Sequence, residues 1–230
     1  MDVVRVALSV DVACFALAAD GLRLLLVRRR AGPFAGAWAL PGGVVAPDER
    51  LDGAARRVLA ERTGLRNAYL EQLYTFDDPA RDPRGRTVAV AYVALLPAPP
   101  PDPHSGRDVS EVSWAPAATP PPLAFDHERI ARYARRRLAQ KLEYTPLAFR
   151  VLPARFTMGD LRQVHETVLG RPLDASNFAR QMLARWDLAP VPGERDRRSR
   201  RPARLYRHIG EERIPGPPEP DATGAESPPP

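Results

Sequence analysis

The sequence predicts an α/β protein of two domains, a larger N-terminal domain and a smaller helical domain that ends in a β-hairpin. The first 142 residues contain Val- and Leu-rich runs of strand length around one well-marked helix. Beyond residue 142 the pattern changes to two short helices, joined by a tight turn and followed by two short strands. The predicted strands span residues 6–17, 22–28, 69–76, 87–96 and 109–114, then 188–192 and 203–209.

Composition and charge narrow the class of protein. The 230 residues are 44% hydrophobic and 27% charged, enough for a packed core. The net charge is +6, but Lys141 is the only lysine among 34 basic residues, so we attribute part of the Arg excess to coding bias. The positive charge is densest in residues 150–214, which favours a polyanionic partner.

The single cysteine and the length of the apolar runs indicate the cellular compartment of the protein. Cys14 is the single cysteine and lies in an apolar stretch, so we expect a buried, reduced thiol. No apolar run reaches the roughly 18 residues that a membrane span requires. We therefore expect a cytoplasmic protein with no membrane partner.

Local signals place the helices of the first domain. Asp52 is the expected N-cap of a helix that runs to about Thr63, with Gly64 as its stop signal. A second helix, 126–142, has a basic outer face.

The helices of the second domain are marked by caps. Thr157 is followed three residues later by Asp160, which predicts a capping-box start for a helix that ends before Gly170. Asp174 is the expected cap of a second helix, 175–186. Helix, tight turn, helix and hairpin is the order of a winged helix-turn-helix.

These signals divide the chain into four segments. We expect a first domain over 1–142, a linker over 143–155 and a winged helix over 156–211. The remaining segment, 212–230, is rich in proline, without apolar periodicity, and is predicted to be disordered.

One motif in the first domain carries chemistry. Gly43 and Glu49, followed by residues 57–65, resemble the Nudix box, in which helical glutamates hold magnesium against a diphosphate. Seven of its nine constrained positions match, but Val58 and Arg62 replace the first and third metal-binding glutamates. The resemblance implies a Nudix α/β/α sandwich with a degenerate box.

Further stretches resemble the Nudix-related transcriptional regulators, the NrtR family. They lie in both domains and in the expected order: 30–43, 70–86, 123–127, 156–161, 169–173, 177–178 and 201–206. The resemblance implies a repressor, typically of NAD-related genes, whose Nudix domain senses ADP-ribose or a related nucleotide. It also implies homodimeric binding to a double-stranded operator of two-fold symmetry.

Three functions remain open at this point. The first is a ligand-responsive regulator with an ADP-ribose-like effector, no required cofactor and no catalytic residues. The second is an active Nudix hydrolase of nucleotide diphosphates, because Glu49 and Glu61 survive as the only remnants of a metal site. The third is a winged helix that binds only protein or RNA.

Candidate ligand-binding residues follow from the loops and strands that open onto a Nudix cleft. Arg62 either contacts a diphosphate directly or pairs with a nearby carboxylate. Phe34 and Trp38 are weaker aromatic candidates, Arg84 is a further cationic one, and His127 is expected to be structural. The full predicted set is Arg28, Arg62, Tyr74, Phe76, Arg81 and Arg86.

Candidate DNA-binding residues lie in the second domain. In helix 175–186, Phe178, Met182 and Leu183 are expected in the core, which leaves polar side chains on the other side to read base edges. The Arg-dense loop between the last two strands is expected to bind phosphates. The predicted contacts are Asn177, Arg180, Gln181, Arg198, Arg200, Arg201 and Arg204.

Overall fold

The computed structural model describes residues 5–66, 68–97, 99–196 and 202–210. The predicted contacts Arg198, Arg200 and Arg201, and the proline-rich segment 212–230, lie outside these residues. Among the described helices, none is long and apolar enough to cross a membrane.

The first domain is built on one mixed sheet of seven strands within the described residues. The central strands β1 and β6 are parallel, and the pairs β1–β2 and β5–β6 are antiparallel. The strands are β1 (Ala7–Ala18), β2 (Gly21–Arg29), β3 (Trp38–Ala39), β4 (Gly42–Val44), β5 (Tyr69–Phe76), β6 (Thr87–Leu96) and β7 (Val109–Pro116).

One helix covers each face of this sheet. Alternation along β1 sends Val10 and Val12 into an apolar cluster with α1 (Leu51–Thr63), and Ala13 and Phe15 into a cluster with α2 (His127–Tyr144). The domain is therefore the expected α/β/α sandwich. The pKa of Cys14, buried on the α1 face, is raised by burial to about 12.

The ends of α1 are only partly as predicted. The helix begins at Leu51 after Arg50, with no side-chain cap, so the assignment of Asp52 as the N-cap is wrong. Asp52 instead lies in the first turn, where a carboxylate still favours the positive end of the helix dipole. Gly64 ends the helix in the left-handed conformation (φ 76°), as expected.

The segment 143–155, predicted as a linker, is largely helical. It contains the end of α2 and a short helix, α3 (Leu147–Val151), whose Leu147 and Val151 are buried. The apolar cluster on the α2 face runs without a break from the sheet through α3 into the second domain. The two domains therefore share one core.

The second domain has winged-helix order, α3-β8-α4-α5-β9-β10, and the strands pair as β8-β10-β9. Both predicted caps are present. Thr157 and Asp160 form a capping box, and the Asp174 side chain accepts from the Asn177 N–H. The elements are β8 (Phe156–Thr157), α4 (Met158–Leu169), α5 (Ala175–Arg185), β9 (Leu188–Asp196) and β10 (Ala203–His208).

Candidate functional site

A cleft of about 750 Å³ opens where the ends of β1, β2, β4 and β6 meet the start of α2. Its size falls in the range of small-molecule sites. Its cationic side chains outnumber its carboxylates, which are Asp11, Asp82 and Asp108. The arginines that line it are Arg5, Arg29, Arg62, Arg81, Arg84 and Arg86.

The ion pairs of the Nudix box, here called the box end, lie next to the cleft and centre on Arg57, which also donates to the carbonyl of Val44 in the cleft lining. Its guanidinium binds Glu49 through Nε (2.8 Å) and Nη2 (2.7 Å), and binds Glu61 through Nη1 (3.4 Å). The hydrogen bond from Arg57 lowers the pKa of Glu49, and the pKa of Arg57 is raised in turn. Both surviving glutamates are thus engaged by a cation of the chain itself.

The two replaced box positions cannot supply metal ligands. Val58 is 1% exposed and packs in the α1-side core, where a carboxylate would lose its hydration. Arg62 donates to Asp108 Oδ2 (3.0 Å) and to the Arg107 carbonyl (2.5 Å). The box therefore presents two carboxylates, both bound by Arg57, and among the described residues no three His, Cys, Asp or Glu side chains are grouped to hold a metal.

The floor of the cleft holds a buried charge network. Arg81, with a side chain 4% exposed, donates to Asp11 Oδ2 (3.0 Å) and to both carboxylate oxygens of Asp126 (2.8 and 3.2 Å). Asp11 lies on β1 and Asp126 immediately precedes α2. One arginine therefore ties the central strand to the start of the helix that continues toward the winged helix.

His127 completes this network. Its Nε2 lies 3.4 Å from Asp11 Oδ1, and its Nδ1 accepts from the Leu40 N–H (2.9 Å). Its expected structural role at the helix start is consistent with this geometry. Gly42 is required beside it, because a Cβ there would overlap Asp11 Oδ1.

The network sets the charge of its central carboxylate. Burial alone would raise the pKa of Asp11, but His127 and Arg81 outweigh it, and the pKa is lowered. Burial acts on Arg81 as well, yet Asp126 and Asp11 raise its pKa. Asp11 therefore remains ionised at neutral pH.

The arginines on the wall of the cleft have fewer carboxylate partners than Arg81 has. Arg29 lies beside the Phe125 ring (4.8 Å), and burial together with Arg84 and Arg62 lowers its pKa. Arg84 pairs with Asp82 (2.7 Å) but its side chain is 60% exposed. Arg86 donates to the Asp77 carbonyl. This part of the cleft has a positive field suited to an anion.

Backbone strain marks the same region. Three non-glycine residues of the described chain have left-handed backbones: Phe34 (φ 60°), Asp108 (φ 55°) and Phe125 (φ 56°). Asp108 and Phe125 line the cleft, and Phe34 packs edge-on against Phe125 at 4.8 Å. Such strain collects at ligand sites.

Three of the predicted ligand residues lie outside the cleft lining. Arg28 points to the other side of β2 from Arg29, where it binds Glu111 (3.2 Å) and the Gly36 carbonyl. Phe76 is 4% exposed and packs beside Tyr133 of α2, and Tyr74 is exposed on the same side. For these three residues ligand contact stays a prediction that this geometry does not support.

Sequence reasoning missed Arg29 and Phe125. Neighbouring side chains of any strand point to opposite faces, but the sequence shows which face is which only when one face is polar, and β2 is buried on both faces. No local signal distinguished Arg28 from Arg29.

The second candidate surface is the outer side of α5. Phe178 and Met182 are buried, and Asn177, Arg180 and Gln181 are exposed. Arg180 donates to Asn177 Oδ1 (2.7 Å).

The expectation that Leu183 joins the core of α5 is wrong, because this side chain is 48% exposed. It lies one turn beyond Ala179 and Arg180 rather than in line with Phe178 and Met182, so the helix turns it outward.

The base of the wing is basic as well. Arg195 of β9 and Arg204 of β10 are exposed and directly opposite each other in the antiparallel pair. Like charges in this arrangement repel unless an anion neutralises them.

Comparisons with known proteins cover both regions. Residues 7–153 match the NUDIX domain, and residues 148–208 match the NrtR DNA-binding winged helix domain. The chain is 36% identical over 206 residues to the ADPR responsive transcriptional repressor NtrR of Acinetobacter baylyi. That alignment covers 87% of this chain and 81% of the relative.

Two solved structures extend the comparison. Shewanella oneidensis NrtR complexed with a 27mer DNA matches with a TM-score of 0.71 and 36% identity, covering 88% of this chain and 93% of that one. The NUDIX domain of Shewanella oneidensis NrtR complexed with ADP ribose matches with a TM-score of 0.55 and 39% identity, covering 59% and 90%.

Fold and site together define a Nudix domain joined to a DNA-binding winged helix, the architecture of a transcriptional regulator. The chain belongs to the NrtR family of Nudix-related, ligand-responsive transcriptional repressors.

Proposed function

We propose that this chain represses transcription as a homodimer on operator DNA and that an ADP-ribose-like nucleotide, bound in the cleft without a divalent cation, changes its affinity for the operator. The nucleotide is the one named for the Acinetobacter relative and bound in the Shewanella domain. The observation that carries the proposal is the pairing of an arginine-lined cleft with box glutamates already bound to Arg57.

The charge of the cleft supports a diphosphate ligand. A guanidinium can bind two phosphate oxygens in one plane, and it needs no metal to do so. Arg84 and Arg86 are the best placed for this contact, because both line the cleft and neither is buried. Arg62 is available only by exchange of its surface partner Asp108, a low-cost step for an exposed pair.

Arg81 has a different role in this proposal. Its charge is already neutralised by Asp11 and Asp126, so a diphosphate beside it competes with two buried carboxylates. We infer that the ligand acts by weakening the hold of Arg81 on Asp126, at the start of α2. Arg81 is thus a positioning residue.

Helix α2 supports a path from the cleft to the DNA-binding domain. Its 18 residues span about 27 Å at 1.5 Å per residue. His127 lies at the cleft, and Leu138 and Leu142 share a cluster with Leu161 and Val164 of α4. Because packed helices move as units, a shift of α2 at the cleft would be transmitted to α4.

The DNA side of the proposal follows from α5 and the wing. In this proposal the exposed side chains of Arg180 and Asn177 read base edges in a major groove, and those of Arg195 and Arg204 bind phosphates. A two-fold dimer matches two half-sites of a palindromic operator. Arg198, Arg200 and Arg201 remain proposed phosphate contacts on the basis of the sequence.

Calorimetry tests the ligand. ADP-ribose titrated into the full chain in EDTA should bind, and the double variant Arg84→Ala, Arg86→Ala should bind at least ten-fold more weakly, about 1.4 kcal/mol or more. Arg28→Ala, which removes an exposed arginine outside the cleft, is the matched control and should bind as the wild type does. Binding that requires magnesium would refute direct capture by arginine.

Titration of duplex DNA tests the other surface. Arg195→Ala with Arg204→Ala should weaken specific and random duplexes alike and reduce the salt slope of log K by about two. Arg180→Ala should weaken the specific duplex most. If both variants lost affinity equally on both duplexes, the division between reading and anchoring would be refuted.

A further inference from the structure

The outer side of α5 carries one apolar side chain among its polar ones. Leu183 is 48% exposed, although α5 buries its other large apolar residues, Phe178 and Met182. Within the described parts of α4 and α5, no other large apolar side chain is as exposed. Single exposed apolar residues are ordinary on a protein surface, but this one lies on the side of α5 that the proposed function assigns to DNA.

Helical geometry places Leu183 beside the residues that read bases. Ser176, Arg180 and Leu183 are four and then three residues apart, so they lie on one side of the helix. Leu183 is about 4.5 Å farther along the helix axis than Arg180. A base-pair step is about 3.4 Å, so the two side chains are close enough to reach neighbouring base pairs.

The chemistry of the groove selects the partner of this side chain. The C5-methyl of thymine is the apolar group by which base pairs are distinguished in the major groove, and the other distinguishing groups are hydrogen-bond donors or acceptors. Leucine offers neither, so over another base it would cover a polar edge without satisfying it. Over thymine it buries one methyl group.

We propose that Leu183 is a specificity-determining residue that contacts the C5-methyl of a thymine in each operator half-site, next to the base pair contacted by Arg180. The inference rests on the proposed function, in which α5 is the recognition helix.

The test removes the methyl group and nothing else. A duplex is first selected from a random-sequence library with the full chain, and each thymine of the selected half-site is then replaced by deoxyuridine. For the wild type, one position per half-site should weaken binding by about four-fold, the value for burial of one methylene-sized group.

Variants of Leu183 identify the side chain responsible. Leu183→Ala should bind the thymine and deoxyuridine duplexes equally at that position, whereas Leu183→Met should retain the difference. Ile209→Ala removes another exposed apolar side chain, 56% exposed and outside α5, and should behave as the wild type.

The outcomes separate this inference from the function beneath it. If the chain selects no duplex, the proposed DNA-binding function and the role of Leu183 are both refuted. If a duplex is selected and depends on Arg180, but no thymine methyl matters, the regulator stands and the role of Leu183 is refuted. If Leu183→Ala changes the sedimentation of the free chain, Leu183 is covered by protein rather than DNA, which also refutes it.

Discussion

The box end beside the cleft and the floor of the cleft hold their charges in different ways. At the box end, Arg57 binds Glu49 and Glu61 near the surface, with side chains 18–36% exposed. At the floor, Arg81 is buried between Asp11 and Asp126. Exposed pairs exchange partners at low cost, whereas buried charges must stay compensated. The box end therefore tolerates the loss of metal ligands, and a change at the floor disturbs the start of α2.

The largest effect on stability is expected when the buried charge network at the floor of the cleft is disrupted. Arg81→Met removes the guanidinium that Asp11 and Asp126 share and leaves Asp11 with His127 alone, so it should lower the free energy of unfolding by roughly 3–5 kcal/mol. Arg57→Met, at the box end, should cost far less. Urea unfolding followed by tryptophan fluorescence measures both. Equal losses for the two variants would contradict the distinction between the ends.

The next effect concerns communication through α2. Asp126→Asn keeps the size of the side chain but weakens the hold of Arg81 on the helix. At saturating ADP-ribose, the ratio of operator affinities with and without nucleotide should fall from about 5- to 150-fold toward one.

Asp82→Asn is the matched control for this measurement. Asp82 lines the cleft, and its carboxylate accepts from the backbone and the side chain of Arg84 rather than from α2, so Asp82→Asn should leave the ratio close to that of the wild type. A ratio preserved in Asp126→Asn and lost in Asp82→Asn would place the path elsewhere.

These contrasts also show what the sequence could and could not predict. Strands 69–76 and 87–96 and the caps at Thr157 and Asp174 were predicted correctly, because apolar runs and capping residues act over a few positions. The two-residue strands β3 and β8 and the short helix α3 were not predicted. Strand pairing forms the first two and tertiary packing forms the third, rather than local preference.

The site was less predictable than the fold. The partners of Arg81 lie 70 and 45 residues away in the sequence, so nothing near it indicated that its charge would be occupied. The sequence does not distinguish Arg29, which lines the cleft, from Arg28, which does not, because both faces of β2 are buried. The Nudix box was recognised from its spacing, but only the structure shows Arg57 bound to the two remaining glutamates.

Acid should destabilise the protein partly by protonating Asp11 at the floor of the cleft. The pKa of Asp11 lies below its ordinary value of 3.8 in the folded chain, so its contribution to stability is complete above that value and is lost as pH falls through the folded pKa. Asp11→Asn should flatten the fall in unfolding free energy below about pH 4.

The box end provides the comparison for this acid profile. Glu49→Gln removes a carboxylate whose pKa is also lowered, but whose side chain is more exposed (18%) than that of Asp11 (7%), so the profile should change less. A larger change in Glu49→Gln than in Asp11→Asn would contradict the ranking of the two ends.

The smallest expected effect is none at all. With magnesium and ADP-ribose or NADH, turnover should stay far below about 1 per second, and Glu61→Gln should leave it unchanged. Hydrolysis at an ordinary enzymatic rate, abolished by Glu61→Gln, would establish the hydrolase alternative instead.

The central claim is that a nucleotide bound by arginines, without metal, controls the affinity for DNA. Its most direct test is the titration of the selected duplex with the full chain in EDTA, with and without saturating ADP-ribose. A change in operator affinity of about 5- to 150-fold is predicted, and added magnesium should not alter it. An affinity that is unchanged, or that changes only with magnesium, would contradict the claim.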